Sequence, residues 1–368
     1  MTPENHSDPE PSLRQVVLQD LRPGEVPDSF RRGWRELYFF YLEPARREKL
    51  ASLGWARRTF LLLGWLFKSL LRKLAPQRRI MLLAALLLFV LGWVKMVLIS
   101  GIEVRMLAFL ILLVLLMLEL KDKLVARSEI EIARQVQCSL LPTEHPRIPG
   151  WDVWSGTRPA NDVGGDLVDY LDPGPGRHGL ALGDVAGKGM GAALLMAKLQ
   201  ATLRALAPDL EDLRVLGSRL NALLHRDGPS NRFATLFYLE VRPGSGAVRY
   251  LNAGHNPALV VRPGGMEKLA ASATPLGMLP EVSYRESHIE MLPGDLFLAY
   301  SDGVTEAENS AGQEFGMSRL ESLLPSLRSL PAAEVGRRVE AAVGRHLDGE
   351  RPGDDLSLLI VRRTKEDT

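Results

Sequence analysis

From Ile80 to Ile102 the chain is apolar apart from Lys95. A stretch of that kind has few destinations. At about 1.5 Å of rise per residue it is long enough, as a helix, to span a bilayer. Lys95 lies toward its far end, where a long side chain can snorkel to the interface. A second apolar run, Met106 to Leu118, follows after Ser100 to Arg105, and it reaches bilayer length when Val104 and Leu120 are included. The pair reads as a transmembrane hairpin over residues 80–120, with spans near 80–102 and 104–120. The alternative is one span followed by a buried or re-entrant segment. Basic residues flank both outer ends: Arg78 and Arg79 before, and Lys121, Lys123 and Arg127 after. Cytoplasmic flanks carry such an excess of Lys and Arg, so both ends are expected in the cytoplasm. Two spans provide that and one does not. The expected location is the cytoplasmic membrane, crossed twice, with the C-terminal domain on the cytoplasmic side. The near-neutral net charge of +1 conceals this local asymmetry.

Residues 1–45 are polar and rich in Pro, Glu and Arg, a composition that favours disorder. No apolar core follows the first few residues, so no cleaved leader is expected. Residues 46–79 form a basic amphipathic segment. Arg46, Arg47, Lys49 and further basic residues up to Arg79 stand against Glu48 alone, interleaved with Trp55, Phe60, Trp65 and Phe67. This mixture suits a helix lying on anionic lipid; a juxtamembrane linker is the plainer reading. After the hairpin, residues 121–142 read as a charged linker helix, ended by Pro142. Leu118, Val125 and Ile132 fall seven residues apart, with Val136 and Leu140 continuing the stripe. That spacing fits either a rigid connector or a signalling helix that pairs two copies of the chain.

From Gly150 onward short β-type runs alternate with turn signals. Leu236 to Val241 and Ala247 to Leu251 flank Arg242-Pro243-Gly244-Ser245-Gly246, and Ala258 to Arg262 and Met266 to Leu269 flank Pro263-Gly264-Gly265. Both read as hairpins. Tyr284 to Leu292 and Asp295 to Tyr300, joined at Pro293-Gly294, read as a third. Helices are expected at Ala192–Leu206, Leu210–His225, Met317–Leu324 and Ala332–His346, and a closing strand at Leu356–Arg362. Consecutive hairpins with separate helices argue for an α+β domain over residues 150–363.

Four acids in this domain share one local design. Asp166 follows Val163-Gly164-Gly165, and Asp184 follows Gly183 in a stretch running to Gly189. Asp302 stands in Ser301-Asp302-Gly303, and Asp354, with Asp355 beside it, follows Pro352-Gly353. One such acid is an ordinary turn residue. Four at strand ends would repel each other unless cations bind between them. Carboxylate ligands favour Mg²⁺ or Mn²⁺ over zinc, and two such ions can lower the pKa of a shared water for in-line attack on phosphorus. Lys188 can attract a phosphate or be a solvated turn residue. His255 can act as a general acid or cap a turn, and Arg158 is a weaker phosphate contact.

Other chemistries fit poorly. The single cysteine, Cys138, cannot build a disulfide or a Cys-cluster metal site, and a cysteine-dependent phosphatase would need Arg where Glu144 stands. Gly183 to Gly189 lacks the Ser or Thr that follows the lysine of a P-loop, since Gly189 stands there. His225-Arg226-Asp227 lacks the Asn of a kinase catalytic loop, which is replaced by Arg232.

Val163-Gly164-Gly165-Asp166, Gly183-Asp184-Val185-Ala186-Gly187-Lys188-Gly189, Asn252-Ala253-Gly254-His255-Asn256-Pro257, Ser301-Asp302-Gly303-Val304-Thr305-Glu306 and Asp354-Asp355-Leu356-Ser357 occur in this order. Together they resemble the SpoIIE/RsbU branch of the metal-dependent serine/threonine protein phosphatases (PPM, type 2C-like). The resemblance covers roughly Gly150 to Arg363 and the helix entering it. It implies a PPM-type sandwich of two antiparallel β-sheets flanked by helices, holding two divalent cations, Mn²⁺ or Mg²⁺. It implies hydrolysis of phosphoserine or phosphothreonine on a phosphoprotein, in the bacterial branch often an anti-sigma-factor antagonist. Carried over by motif, Asp184 bridges both metals with the Val185 carbonyl assisting, Asp166 holds the second metal, and Asp302 and Asp354 hold the first. Asp355 either joins them or caps its turn; Thr305 and Glu306 support Asp302. Lys188 and His255 are candidate substrate-binding residues. The expected partners are the phosphoprotein, membrane lipid and a second copy of the chain through the linker helix, with no nucleic acid. The rival reading is a non-catalytic, membrane-tethered module that binds a phosphoprotein.

Overall fold

The computed structural model describes residues 74–98, 102–228 and 232–365, with isolated positions between 57 and 72. The readings for residues 1–45, and most of those for 46–79, lie outside the described residues. The chain divides into two units, Met1–Lys123 and Leu124–Thr368.

In the first unit α1 spans Pro76–Leu98, and α2, Ile102–Leu140, begins there and ends in the second unit. Pro76 opens α1, where its missing N–H costs nothing. Leu74, Leu82 and Leu115 form a small buried cluster with Leu71, Met81 and Leu112 against it. Arg78 pairs with both Glu119 and Asp122. Those contacts run the helices antiparallel. The separate second span and linker helix expected from sequence are one helix of 39 residues. No Gly or Pro interrupts Ile102 to Leu140, so nothing in the backbone stops the helix before Pro142. Among the described residues, no helix is long and apolar enough to cross a membrane. The stretch where the two apolar runs approach each other, residues 92–105, lies outside the side chains described.

The second unit is a four-layer sandwich. Its strands are β1 (Trp151–Arg158), β2 (Leu167–Gly174), β3 (Arg177–Val185), β4 (Ala234–Val241), β5 (Ala247–Ala253), β6 (Ala258–Arg262), β7 (Gly265–Leu269), β8 (Ser287–Glu290), β9 (Leu296–Tyr300) and β10 (Leu356–Arg363). One sheet runs β1-β10-β9-β6-β7 and the other β2-β3-β4-β5-β8, and every pairing is antiparallel. The inner faces meet in a core that includes Leu180, Leu182, Phe237, Val260, Phe297 and Val361. Helices α3 (Met190–Leu206) and α4 (Leu213–Asp227) cover the second sheet, burying Met196, Leu199, Leu203, Leu216 and Leu220. A four-residue turn, α5 (Asp302–Thr305), precedes α6 (Gly316–Leu327) and α7 (Ala332–Leu347), which cover the first sheet through Leu320, Leu324, Val335 and Val339. Burial at three- and four-residue spacing is what one apolar stripe per helix requires. Asp212 caps α4 by accepting from the Arg214 N–H at 2.8 Å, which sets its start at Leu213, three residues after the expected Leu210.

The first two hairpins expected from sequence are present as β4–β5 and β6–β7. The third is not. β8 pairs with β5 in one sheet, and β9 pairs with β10 and β6 in the other. The Pro293-Gly294 turn therefore carries the chain between sheets. The cause is burial: all five residues of β9 are buried, whereas β8 alternates between half-buried and exposed. A strand covered on both faces takes a central place with two neighbours, and an alternating one suits an edge.

Candidate active site

β2 starts where β3 ends, with Leu167 opposite Gly183. Asp166 and Asp184 are thereby brought to the same end of one sheet. In the other sheet β9 ends where β10 begins, with Tyr300 opposite Leu358, which brings together Asp302 and the Asp354-Asp355 turn. The two pairs meet across the sandwich. Gly303 sits where an added Cβ would lie 2.2 Å from the Asp355 carbonyl oxygen; only glycine lets these two turns touch.

The carboxylates act on each other. Asp166 is 5% exposed, and burial, then the charge of Asp184, drives its carboxyl well above the usual range. Asp184 is raised by burial, then by the charges of Asp302 and Asp354. Asp302 is raised by burial and then by Asp354. Even Glu306, whose N–H donates to the Asp302 carbonyl at 2.8 Å, is raised by burial and by Asp302. Thr305 Oγ1 donates to that same carbonyl at 3.2 Å. Asp166 Oδ2 is buried with no hydrogen-bond partner. Like charges crowded in this way, with an acceptor left unused, suit divalent cations with oxygen ligands. The Val185 carbonyl oxygen faces the same loop, 3.2 Å from where a Cβ on Gly165 would stand. Among the described residues, no three of His, Cys, Asp or Glu close tightly enough to hold a metal ion as they stand.

The remaining candidates fall into different places. Asp355 is spent on the backbone: Oδ1 accepts from the Ala160 N–H at 2.8 Å and Oδ2 from the Gly165 N–H at 2.5 Å. It holds the loop that presents Asp166 rather than its own turn, where Asp354 Oδ1 accepts from the Asp355 N–H at 2.9 Å. Lys188 Nζ lies 2.8 Å from Asp354 Oδ2 and also donates to the Gly353 carbonyl. It thus neutralises one member of the cluster. His255 is buried, its Nδ1 2.7 Å from Thr235 Oγ1 and its N–H donating to Asn252 Oδ1 at 2.9 Å. Burial pushes the imidazole down to about 4, so at neutral pH it is an uncharged turn residue within the fold, out of reach of solvent. Arg158 points away, to Glu340 at 2.8 Å. One contributor was not foreseen. Gln137, on α2, donates to the Gly164 carbonyl at 2.6 Å and accepts from its N–H at 3.0 Å. A glutamine in a charged helix carries no sequence signal for that double bond.

The sequence model of the family described as Stage II sporulation protein E (SpoIIE) matches residues 174–364, a range that includes Asp184, Asp302 and Asp354 but not Asp166. Protein IcfG of Synechocystis is 29% identical over 273 residues, covering 67% of this chain and 43% of that protein. The chain thus spans less than half of that relative. The phosphoserine phosphatase RsbU of Bacillus subtilis is 27% identical over 240 residues, covering 64% of this chain and 70% of RsbU. Among solved structures, the RsbU and RsbW domains of Rv1364c from Mycobacterium tuberculosis superpose with a TM-score of 0.52 at 25% identity, covering 61% of this chain and 62% of that one. The SiaA-PP2C domain of Pseudomonas aeruginosa superposes with a TM-score of 0.54 over 66% of this chain and 98% of its own; at 20% identity it speaks for the fold alone. The two-sheet sandwich is a PP2C-like fold.

Proposed function

Because this chain belongs to the stage II sporulation protein E (SpoIIE) family, we propose that it is a metal-dependent phosphatase that hydrolyses phosphoserine or phosphothreonine on a cytoplasmic signalling protein. The observation that carries the reading is the convergence of Asp166, Asp184 and Asp302, each raised by burial and by neighbouring carboxylates that include Asp354, with Asp166 Oδ2 buried and unpartnered. These four, with the Val185 carbonyl, are the residues that would hold two divalent cations, Mn²⁺ or Mg²⁺. Bound there, such ions supply an activated water and neutralise charge on the phosphoryl oxygens. The protein's own part is positional. Asp355 and Gln137 hold the loop before Asp166, and Thr305 and Glu306 bond the Asp302 backbone. The resemblance to RsbU, a phosphoserine phosphatase, supports a phosphoprotein substrate, and an anti-sigma-factor antagonist is the class we favour. The test is phosphate release from a phosphoserine protein with Mn²⁺ or Mg²⁺, compared with Asp184→Asn. A normal rate in that variant would sink the assignment.

Anchoring in the cytoplasmic membrane by two spans belongs to the same proposal. α1 and α2 expose Ile80, Leu87, Phe109, Leu116 and Met117, each at 60% or more, which water would penalise and lipid would not. The Arg78 pairs with Glu119 and Asp122 set both basic flanks at one end of the helix pair, as two spans require. Val125, Ile132 and Val136 stand exposed along α2 at 48%, 60% and 56%, which supports pairing with a second copy. Deleting residues 1–120 should release the protein from membranes into the soluble fraction. Retention of the truncated protein on membranes would overturn the anchor.

A further inference from the structure

The carboxylate cluster poses a difficulty that its own residues do not resolve: a phosphomonoester dianion must approach a site lined by acids. Of the cations near it, Lys188 is paired with Asp354 and Arg158 with Glu340. Arg232 is different. It enters β4 one residue before Phe233, whose carbonyl accepts from the Ala186 N–H at 2.9 Å, and Asp184 lies opposite Thr235 in the same ladder. Arg232 is thereby held alongside Gly187, in the loop that follows Asp184, and Gly191, in the first turn of α3. The loop has no side chain where the guanidinium lies. A Cβ on Gly187 would stand 3.0 Å from Arg232 Nη1, and one on Gly191 would stand 2.8 Å from Nη2. Nη1 is buried and has no hydrogen-bond partner among the described residues. A buried guanidinium donor left unbonded costs free energy unless a ligand takes it up, and its planar fork matches phosphate oxygens.

The geometry points to Arg232 as the residue that holds the phosphoryl group of the substrate, and the phosphate product, beside the Asp184 cluster. Its N–H groups donate to non-bridging oxygens while the two glycines keep the loop low enough to admit them. The assignment rests on the phosphatase reading and supplies its substrate-binding cation, a role for which Lys188 was the sequence candidate.

The experiment uses the full chain with Mn²⁺, measuring inhibition of phosphoserine-peptide hydrolysis by inorganic phosphate, phosphate binding by calorimetry, and the Mn²⁺ midpoint. Arg232→Met should weaken phosphate binding and raise KM by about tenfold to a hundredfold, the worth of charge-assisted hydrogen bonds. Arg232→Lys should recover part of the loss. Gly191→Ala, which crowds Nη2, should weaken phosphate binding in the same direction. The Mn²⁺ midpoint should not move in any of the three. Unchanged phosphate affinity in Arg232→Met would overturn the assignment, as would a shifted Mn²⁺ midpoint with phosphate affinity intact, which would make Arg232 a brace for the loop. A wild-type protein that binds phosphate through Arg232 yet hydrolyses no phosphopeptide would break the phosphatase reading and leave this one standing.

Discussion

Strands β3 and β4 carry a buried charge cluster at each end, and the two are built on opposite terms. At one end Gly179 faces Glu240, and the Glu240 carboxylate, 2% exposed, is fully met. It accepts two hydrogen bonds from Arg177 at 3.0 and 2.8 Å, two from Arg249 at 3.0 and 2.7 Å, and one from Tyr238 Oη at 2.9 Å. Burial pushes its carboxyl up, but Arg177 and Arg249 outweigh that and hold it below the usual range. At the other end Asp184 faces Thr235, and the carboxyls gathered there rise. A buried charge with fixed partners belongs to the fold; buried charges short of partners are waiting for a ligand. One pair of strands thus carries a fully partnered carboxylate at one end and, at the other, one raised by burial and by neighbouring carboxylates.

The comparison is open to attack from either end. Asp184→Asn should have the largest effect, lowering metal-dependent phosphate release by about a thousandfold or more, since several kcal/mol of charge stabilisation goes with the metal site. The same substitution should raise the melting temperature of the metal-free protein, because it removes one of the repelling charges. Glu240→Ala should do the reverse. Stranding Arg177 and Arg249 should cost about 3–5 kcal/mol of stability in denaturant titration, with the activity of the folded fraction unchanged. If both substitutions shift stability in the same direction, the contrast fails.

The smallest effect is in pH. In the metal-free protein Asp166, Asp184 and Asp302 have folded pKa values above their unfolded ones. Their contribution to stability is therefore complete below the unfolded carboxylate pKa and is lost as pH rises through the raised values. Glu240 has the opposite sign and is lost only as pH falls through its depressed value. Between about pH 5 and pH 8 the acidic cluster lowers stability as pH rises, opposed up to about pH 6.5 by buried His255, whose depressed pKa has the other sign, so the metal-free melting temperature of a His255→Asn variant should fall across that window. Saturating Mn²⁺ should invert the trend, because protons compete with the ion for the same oxygens. A metal-free melting temperature of the His255→Asn variant that rises from pH 5 to 8 would contradict the cluster as described.

Local chemistry made much of this legible in the residues alone. Gly-rich turns next to apolar strands exposed Asp166, Asp184, Asp302 and Asp354, because a strand end needs turn residues whatever surrounds it. The hairpins at Arg242–Gly246 and Pro263–Gly265 have the same origin, and the helices covering the sheets could be read from their apolar stripes. Partnership at a distance was not legible. Whether Leu296–Tyr300 turned back on its neighbour or crossed to the other sheet depended on which surface could cover both its faces. Whether Asp355 served a metal or the Gly165 backbone, and whether His255 met solvent or Thr235, were set by residues far away in the chain. Turn preference and hydrophobic period act over a few residues and are written in order along the chain. The pairing of buried charges and donors acts through space, so only the packed sandwich decided which acids keep their neighbours and which are left for a ligand.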